Sequence, residues 1–268
     1  MNKIIILSIL IASKIVFAAD PVTDFAHWLP PIQMNLYQQS EALAASGIDT
    51  AEKIDASNLQ VMAEMYKKPV KNKHSSRRNH IEKYEAIDLL YRLKSDPVAS
   101  FDNSDKYDPN GQFGFCFGRA TWVWLEAIKL GISKDSIKKI FLVGPMRAGD
   151  IDWQFHVATA IRGKNKGIFF DKETWYVLDS SFERLKTVEE FYDFYRAESI
   201  DRKLRLFVTE PQRLGPSTTT KFGPGDYNNP MNDKEYNAYF ADMLSNFRNK
   251  IQYQNSNKCK HLFPAQAL

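Results

Sequence analysis

Cys116, His156 and Asp179 are residues of the types that hydrolytic enzymes use as nucleophile, general base and orienting acid. Cys116 opens a helical pattern, His156 lies within an apolar strand pattern, and Asp179 ends a later strand. A thiol on the first turn of a helix is favoured as thiolate, because the unpaired backbone N–H groups and the helix dipole stabilise negative charge there. The same N–H groups could hold an oxyanion. The pattern therefore indicates acyl transfer through a cysteine.

Each of these residues also has an ordinary structural explanation. Most free cysteines are small buried hydrophobes, and a cysteine of an exported protein can form a disulfide, here with Cys259. A histidine in an apolar strand is often structural, and Asp179 could simply begin the turn that follows. The three residues together, in this order and context, are more specific than any one of them. A disulfide between the only two cysteines would exclude the catalytic interpretation.

The helix that carries Cys116 is predicted from apolar residues that recur every three or four positions. These residues are Cys116, Ala120, Val123, Trp124 and Ala127. Gly131 supplies the left-handed residue that ends the helix, and Ile132 is the apolar residue expected to fold back onto it.

Runs of β-branched and aromatic residues after this helix predict a mostly antiparallel sheet. They cover residues 137–145, 153–161, 175–182 and 204–210. In the second run His156 shares one face with Gln154, Ala158 and Ala160. The two alanines leave room for a closely packed neighbour, and we expect the cysteine helix to dock on this face. Asp179 ends the third run, where its carboxylate can reach a neighbouring imidazole.

Further helices are predicted on both sides of this region. Two lie between Leu29 and Tyr66, and Asp49 with Glu52 is expected to cap the second. A third is opened by Asn79 and Glu82, with Ile81, Tyr84, Ile87, Leu90 and Tyr91 on its apolar side. Thr187 and Glu190 form a capping box for another helix, and the last runs from about Asp233 to Ile251 after a long loop at 213–232.

The first residues have the pattern of a secretory signal that is cleaved after Ala18. We therefore expect a secreted or periplasmic protein with no membrane span after signal cleavage. The predicted organisation is a signal peptide at 1–18, an N-terminal helical region at 19–95 and a catalytic domain at 96–268. The basic segment 67–80 is either a solvated loop or an exposed processing site.

The sequence gives little indication of charged partners or cofactors. A net charge of +4 over 268 residues is too small to indicate binding to nucleic acid. There is no HExxH, CxxC or phosphate-binding glycine loop, so neither a metal nor a nucleotide cofactor is predicted. The oligomeric state stays open.

Three segments resemble the motifs of bacterial protein-glutaminases, which are secreted protein deamidases of the papain and transglutaminase-like superfamily. The segments are CFGRA at 116–120, WQFHVA at 153–158 and VLDSSF at 177–182, and the resemblance spans roughly residues 110–185. It implies an α+β fold with a papain-like core, in which the nucleophile helix packs on an antiparallel sheet. It also implies that Cys116 attacks a glutamine side-chain amide, that His156 protonates departing ammonia and that Asp179 orients His156.

The resemblance further implies that Trp153 forms a wall of the substrate slot and that residues 19–95 could be a removable pro-region. Equally, those helices could belong permanently to the fold. Gln112, in the turn before the helix, is a candidate second oxyanion donor.

The sequence thus predicts an exported enzyme that hydrolyses protein-bound glutamine to glutamate and ammonia through a thioester. Transglutamination and papain-like proteolysis use the same acyl chemistry and remain alternatives. A non-catalytic exported binding protein, with a structural cysteine and histidine, is the alternative of another class.

Overall fold

The chain has an α+β fold, as the sequence predicts, in which helices pack on both faces of one antiparallel sheet. The computed structural model describes residues 34–67, 76–109, 114–149, 151–165, 172–217 and 238–250. Its helices are α1 (Leu36–Ala45), α2 (Ala51–Met65), α3 (Lys83–Lys94), α4 (Cys116–Lys129), α5 (Val188–Ala197) and α6 (238–250). Its strands are β1 (Ile137–Ala148), β2 (Ile151–Asn165), β3 (Lys172–Leu178), β4 (Lys186–Thr187) and β5 (Arg205–Thr209).

The strands lie in the order β4-β3-β2-β1-β5, and every neighbouring pair is antiparallel. β1 and β2 form a long hairpin with an irregularity between Val143 and Met146. The pairing of β3 with β2 begins only at Leu178 and Thr159. In the described part of the chain, the first half of β2 therefore has no β3 partner on that side. We call residues 151–158 on this side the open edge of β2.

The two faces of the sheet are covered by different helices. α3, α4 and α6 form one apolar cluster with Phe141, Val157 and Ile161. α5 and the end of α2 form a second cluster, on the face that carries Ala158 and Ala160. Both faces of the central strands are therefore buried.

The predicted docking face of the cysteine helix is wrong. The hydroxyl of Thr159 donates to the carbonyl of Ala120 at 2.6 Å, so α4 lies on the face opposite Ala158 and Ala160. The space above the alanines is filled by aromatic residues of α5 instead. Both faces of β2 are apolar, and alternation alone does not say which helix covers which face.

α4 begins and ends where the sequence predicts. Gly131 has a φ of 83°, its N–H bonds the carbonyl of Ile128 at 3.0 Å, and the N–H of Ile132 bonds that of Ala127 at 3.1 Å. This is the hydrogen-bond pattern of a Schellman motif. Ile132 is fully buried, which confirms that the apolar residue after the glycine folds back.

The predicted apolar side of α3 is wrong for three of its five residues, whereas Ile81 and Leu90 are buried as predicted. Its buried residues are Ala86, Leu89, Leu90 and Leu93. Tyr84, Ile87 and Tyr91 are 71%, 49% and 73% exposed. The helix has two apolar stripes, and the one with the smaller side chains faces the core it shares with α4.

Two predicted helix caps also differ from the structure. α3 is capped by Glu82 with Glu85 rather than from Asn79, and α2 is capped by Thr50 rather than Asp49. The capping box of Thr187 and Glu190 is confirmed, with backbone-to-side-chain bonds of 2.9 and 3.3 Å.

The described part of the N-terminal region shares its packing with the rest of the fold. Buried Asn58 of α2 donates to the carbonyl of Leu204 at 2.8 Å and accepts from the N–H of Leu206 at 2.9 Å. The indole of Trp175 in β3 donates to the carbonyl of Met65 at 2.7 Å. α2 is therefore hydrogen-bonded to β3 and to β5 with the residue before it, and these two strands lie on opposite sides of the β1–β2 hairpin. The boundary near residue 95 stays a prediction.

Several predicted features lie outside the described residues. They are the signal peptide at 1–18, residues 68–75 of the basic segment, Gln112, Cys259 and most of the loop at 213–232. Among the described helices, none has the length and apolar character needed to cross a membrane.

Candidate active site

The backbone is strained immediately before Cys116. Gly114 and Phe115 have φ values of 66° and 42°, and Phe115 is the N-cap of α4 without a side-chain cap bond. A left-handed conformation costs free energy for a residue with a bulky side chain and persists only where packing enforces it. Phe115 is fully buried and stacks on Tyr239 of α6, with ring centroids 4.4 Å apart. Aromatic packing thus holds the turn that delivers Cys116 to the first turn of α4.

Two side chains fix the backbone of Gly114. Its N–H donates to Oδ2 of Asp108 at 2.9 Å, and its carbonyl accepts from Nη1 of Arg119 at 2.6 Å. Arg119 lies one turn along α4 and is only 3% exposed. Both backbone polar groups of Gly114, in the segment before the thiol, are therefore hydrogen-bonded to side chains.

His156 and Asp179 are directly hydrogen-bonded, 23 residues apart in the sequence. Nε2 of His156 lies 2.5 Å from Oδ2 of Asp179, and both side chains are buried. The other carboxylate oxygen of Asp179 accepts from the N–H and hydroxyl of Ser181 at 3.0 and 2.9 Å. The carboxylate is thus held in place, and it fixes the plane of the imidazole ring.

Cys116 is a free thiol beside His156 at the open edge of β2. Burial alone would raise the pKa of Cys116. The neighbouring His156, the charge of Arg119 and the backbone N–H of Val157 outweigh burial and lower that pKa below its usual value. Nδ1 of His156 has no hydrogen-bond partner among the described residues, whereas Nε2 is bonded to Asp179, so Nδ1 is the nitrogen available to the sulfur.

The pKa of the His156 imidazole is shifted in the opposite direction. Burial alone would lower the pKa of His156, but the charge and hydrogen bond of Asp179, together with Cys116, raise it to about 9. Burial would raise the pKa of Asp179, but the charge and hydrogen bond of His156 hold it well below its usual range. These directions favour a thiolate and an imidazolium together near neutral pH.

Tyr195 of α5 is a site residue whose role the sequence did not indicate. Its hydroxyl lies 3.1 Å from Nε2 of His156 and 3.4 Å from Oδ2 of Asp179. Its ring packs on the imidazole with centroids 4.5 Å apart. The sequence includes Tyr195 in the apolar stripe of a helix, and nothing in that stripe distinguishes a tyrosine at the site from one in the core.

Trp153 lies between the imidazole and the turn before Cys116. Its indole is stacked on His156, with ring centroids 5.7 Å apart and an interplanar angle of 10°. A Cβ added at Gly114 would lie 3.3 Å from the indole, so the glycine allows this close approach. Trp153 therefore borders the site, and Gln112 lies outside the described residues.

Comparison with known proteins gives two structural neighbours. One is the crystal structure of a mutant of pro-protein-glutaminase, with 15% sequence identity, a TM-score of 0.43 and coverage of 60% of each chain. The other is a crystal structure of pro-protein-glutaminase, with 15% identity, a TM-score of 0.39 and coverage of 67% of this chain and 65% of that chain. The match spans less than two thirds of either neighbour. No protein-family model and no curated protein matches the chain.

Proposed function

We propose that this protein is a cysteine hydrolase that converts protein-bound glutamine to glutamate and ammonia. The observation that carries the proposal is the position of Cys116, on the first turn of α4 and beside His156, whose Nε2 lies 2.5 Å from Asp179. The choice of glutamine as substrate is supported by the three motifs around these residues. The signal-like sequence at 1–18 supports action in the periplasm or outside the cell.

The first half of the proposed reaction forms a thioester. The thiolate of Cys116 attacks the side-chain amide carbon, and the carbonyl electrons move to the oxygen, which N–H groups at the start of α4 stabilise. As the tetrahedral intermediate collapses, the C–N bond breaks and His156 gives its Nδ1 proton to the nitrogen, which leaves as ammonia. Asp179 stabilises the imidazolium before this transfer and fixes the ring.

The second half hydrolyses the thioester. Neutral His156 takes a proton from water as the water oxygen attacks the thioester carbon, and the C–S bond then breaks. The product carboxylic acid gives its proton to solvent and leaves as glutamate, and Cys116 and His156 return to the thiolate and imidazolium forms. An amine in place of water would give transglutamination, and a peptide amide in place of the side-chain amide would give proteolysis.

The experiment that tests this function uses casein and the purified protein, with Cys116→Ser as the control. We expect ammonia release from casein and a matching conversion of glutamine to glutamate by mass spectrometry, both absent in the variant. Incorporation of a labelled primary amine would identify transglutamination, and new peptide fragments would identify proteolysis. If wild-type Cys116 reacts with iodoacetamide but glutamine-rich proteins release no ammonia, the deamidase proposal is wrong.

The reactivity of the Cys116 thiol distinguishes the proposed enzyme from a non-catalytic binding protein. A nucleophilic Cys116 should react with iodoacetamide rapidly near neutral pH and more slowly in His156→Ala. Slow and equal labelling of Cys116 and Cys259 would favour the binding protein.

A further inference from the structure

Arg119 is a buried cation close to the candidate nucleophile. It lies one turn after Cys116 in α4 and is 3% exposed. A guanidinium is positively charged throughout the physiological pH range, and burying a charge without a counter-ion costs free energy. No carboxylate in the described ranges forms an ion pair with Arg119, which instead contacts the carbonyl of Gly114 and the ring of Phe101. An apolar side chain of similar volume would fill this space at a lower cost.

The contacts of Arg119 point toward the turn that precedes Cys116. Nη1 donates to the carbonyl of Gly114 at 2.6 Å, and the guanidinium lies over the ring of Phe101, 5.3 Å from its centroid. Its other donors, Nε and Nη2, are buried without an acceptor among the described residues. One donor thus holds the left-handed turn, and the guanidinium has no directly paired carboxylate among the described residues.

We propose that Arg119 is a positioning residue that holds the turn before Cys116 and stabilises its thiolate with a buried positive charge. The proposal deepens the proposed function and rests on it, because it takes Cys116 as the nucleophile. Burial and His156 act more strongly on the pKa values of Cys116 and Asp179, and the charge of Arg119 lowers both values further. Arg119 would therefore favour the ionised forms of two site residues that lie 63 positions apart.

The test follows the rate of Cys116 alkylation by iodoacetamide as a function of pH, measured at the Cys116 peptide by mass spectrometry. Arg119→Met removes the charge and the bond to Gly114, and Arg119→Lys keeps the charge. We expect the apparent pKa of the thiol to rise by about one unit in Arg119→Met, which makes alkylation about tenfold slower at pH values below the wild-type pKa of the thiol. In Arg119→Lys the rate should stay within about threefold of wild type, since most of the charge effect is retained.

Arg184→Met is the control for a change in net charge. Arg184 is exposed and bonded to Glu190, and its loss should leave the alkylation profile as in wild type. If Arg119→Met does not fold, Arg119→Gln replaces it, since glutamine is neutral but can still donate a hydrogen bond. The proposal is overturned if a neutral variant of Arg119 lowers thermal stability but keeps the wild-type pH profile of alkylation. It is also overturned if Arg119→Lys shows the same shifted profile as the neutral variants. The assay uses no protein substrate, so loss of deamidation with intact thiol reactivity would count against the proposed function alone.

Discussion

At the scale of single residues, Cys116 and His156 owe their proposed reactivity to each other. Because the pKa of Cys116 is lowered and that of His156 is raised to about 9, the pair is ionised between the two values. We expect a bell-shaped pH profile of kcat/KM. Activity is lost in acid as the thiolate gains a proton, and in alkali near pH 9 as the imidazolium loses one.

Asp179→Asn tests the origin of the alkaline limb. The carboxylate raises the pKa of His156, so its neutral analogue should move the alkaline limb to lower pH as well as reduce the maximal rate. The measurement is kcat/KM for ammonia release between pH 5 and about pH 10. An alkaline limb that stays in place would show that another group controls it.

Tyr195→Phe removes a hydroxyl shared by His156 and Asp179 and leaves the ring in place. One hydrogen bond is worth about 1 kcal/mol, so we expect about a fivefold loss of kcat/KM with little change in melting temperature. Tyr192→Phe is a matched control on the same helix, because that hydroxyl bonds Asn58 and Asp55 instead. Equal kinetic losses in the two variants would contradict a specific role for Tyr195.

At the scale of elements, local patterns predicted where helices and strands lie, but not which faces meet. The start of α4 at Cys116 and its end at Gly131 depend on nearby residues, and both predictions are confirmed. The faces of α3 and β2 depend on partners that are distant in sequence. The prediction is wrong for Tyr84, Ile87 and Tyr91 of α3 and for the face of β2 on which α4 packs. An element with two apolar faces carries no local signal that ranks them.

Gly118→Ala tests the contact between α4 and α6. A Cβ at this position would lie 2.1 Å from Cε1 of Tyr239, the residue that stacks on Phe115. We expect a loss of about 1–3 kcal/mol in the free energy of unfolding from overpacking, measured in urea, together with slower alkylation of Cys116.

Gly131→Ala is the matched control at the other end of the same helix. A Cβ added at Gly131 would meet no atom within 4 Å, but the φ of 83° at this position disfavours alanine. We expect a comparable loss of roughly 1 kcal/mol with unchanged thiol reactivity. If both variants slowed alkylation equally, general destabilisation of α4 would explain the effect better than displacement of Tyr239.

At the scale of the whole molecule, the open edge of β2 explains how the three predicted site residues meet. β3 stops at Leu178, so Asp179 follows directly at the point where β2 loses its partner. The start of α4 lies beside the same edge, where the N–H of Val157 helps to lower the pKa of the Cys116 thiol. The sequence supplied the residue types and their order, whereas their meeting point depends on strand register. The register follows from long-range pairing that no local pattern encodes.

Asn58→Ala tests how firmly α2 belongs to the fold. The substitution leaves the carbonyl of Leu204 and the N–H of Leu206 without their buried partner. We expect the free energy of unfolding to fall by about 2–4 kcal/mol. Gln60→Ala, at an exposed position of the same helix, should change it by less than about 0.5 kcal/mol. Similar small effects in both variants would indicate that α2 is bound only weakly.

Cleavage in the basic segment 67–80 separates the two interpretations of the N-terminal region. A permanent part of the fold should stay attached after the cut, because α2 is held by Asn58, by the bond of Trp175 to Met65 and by the ion pair of Asp55 with Arg196. We therefore expect both fragments to co-elute in size-exclusion chromatography and to separate only in denaturant. Release of the N-terminal fragment in native buffer, with faster alkylation of Cys116, would instead identify a detachable pro-region.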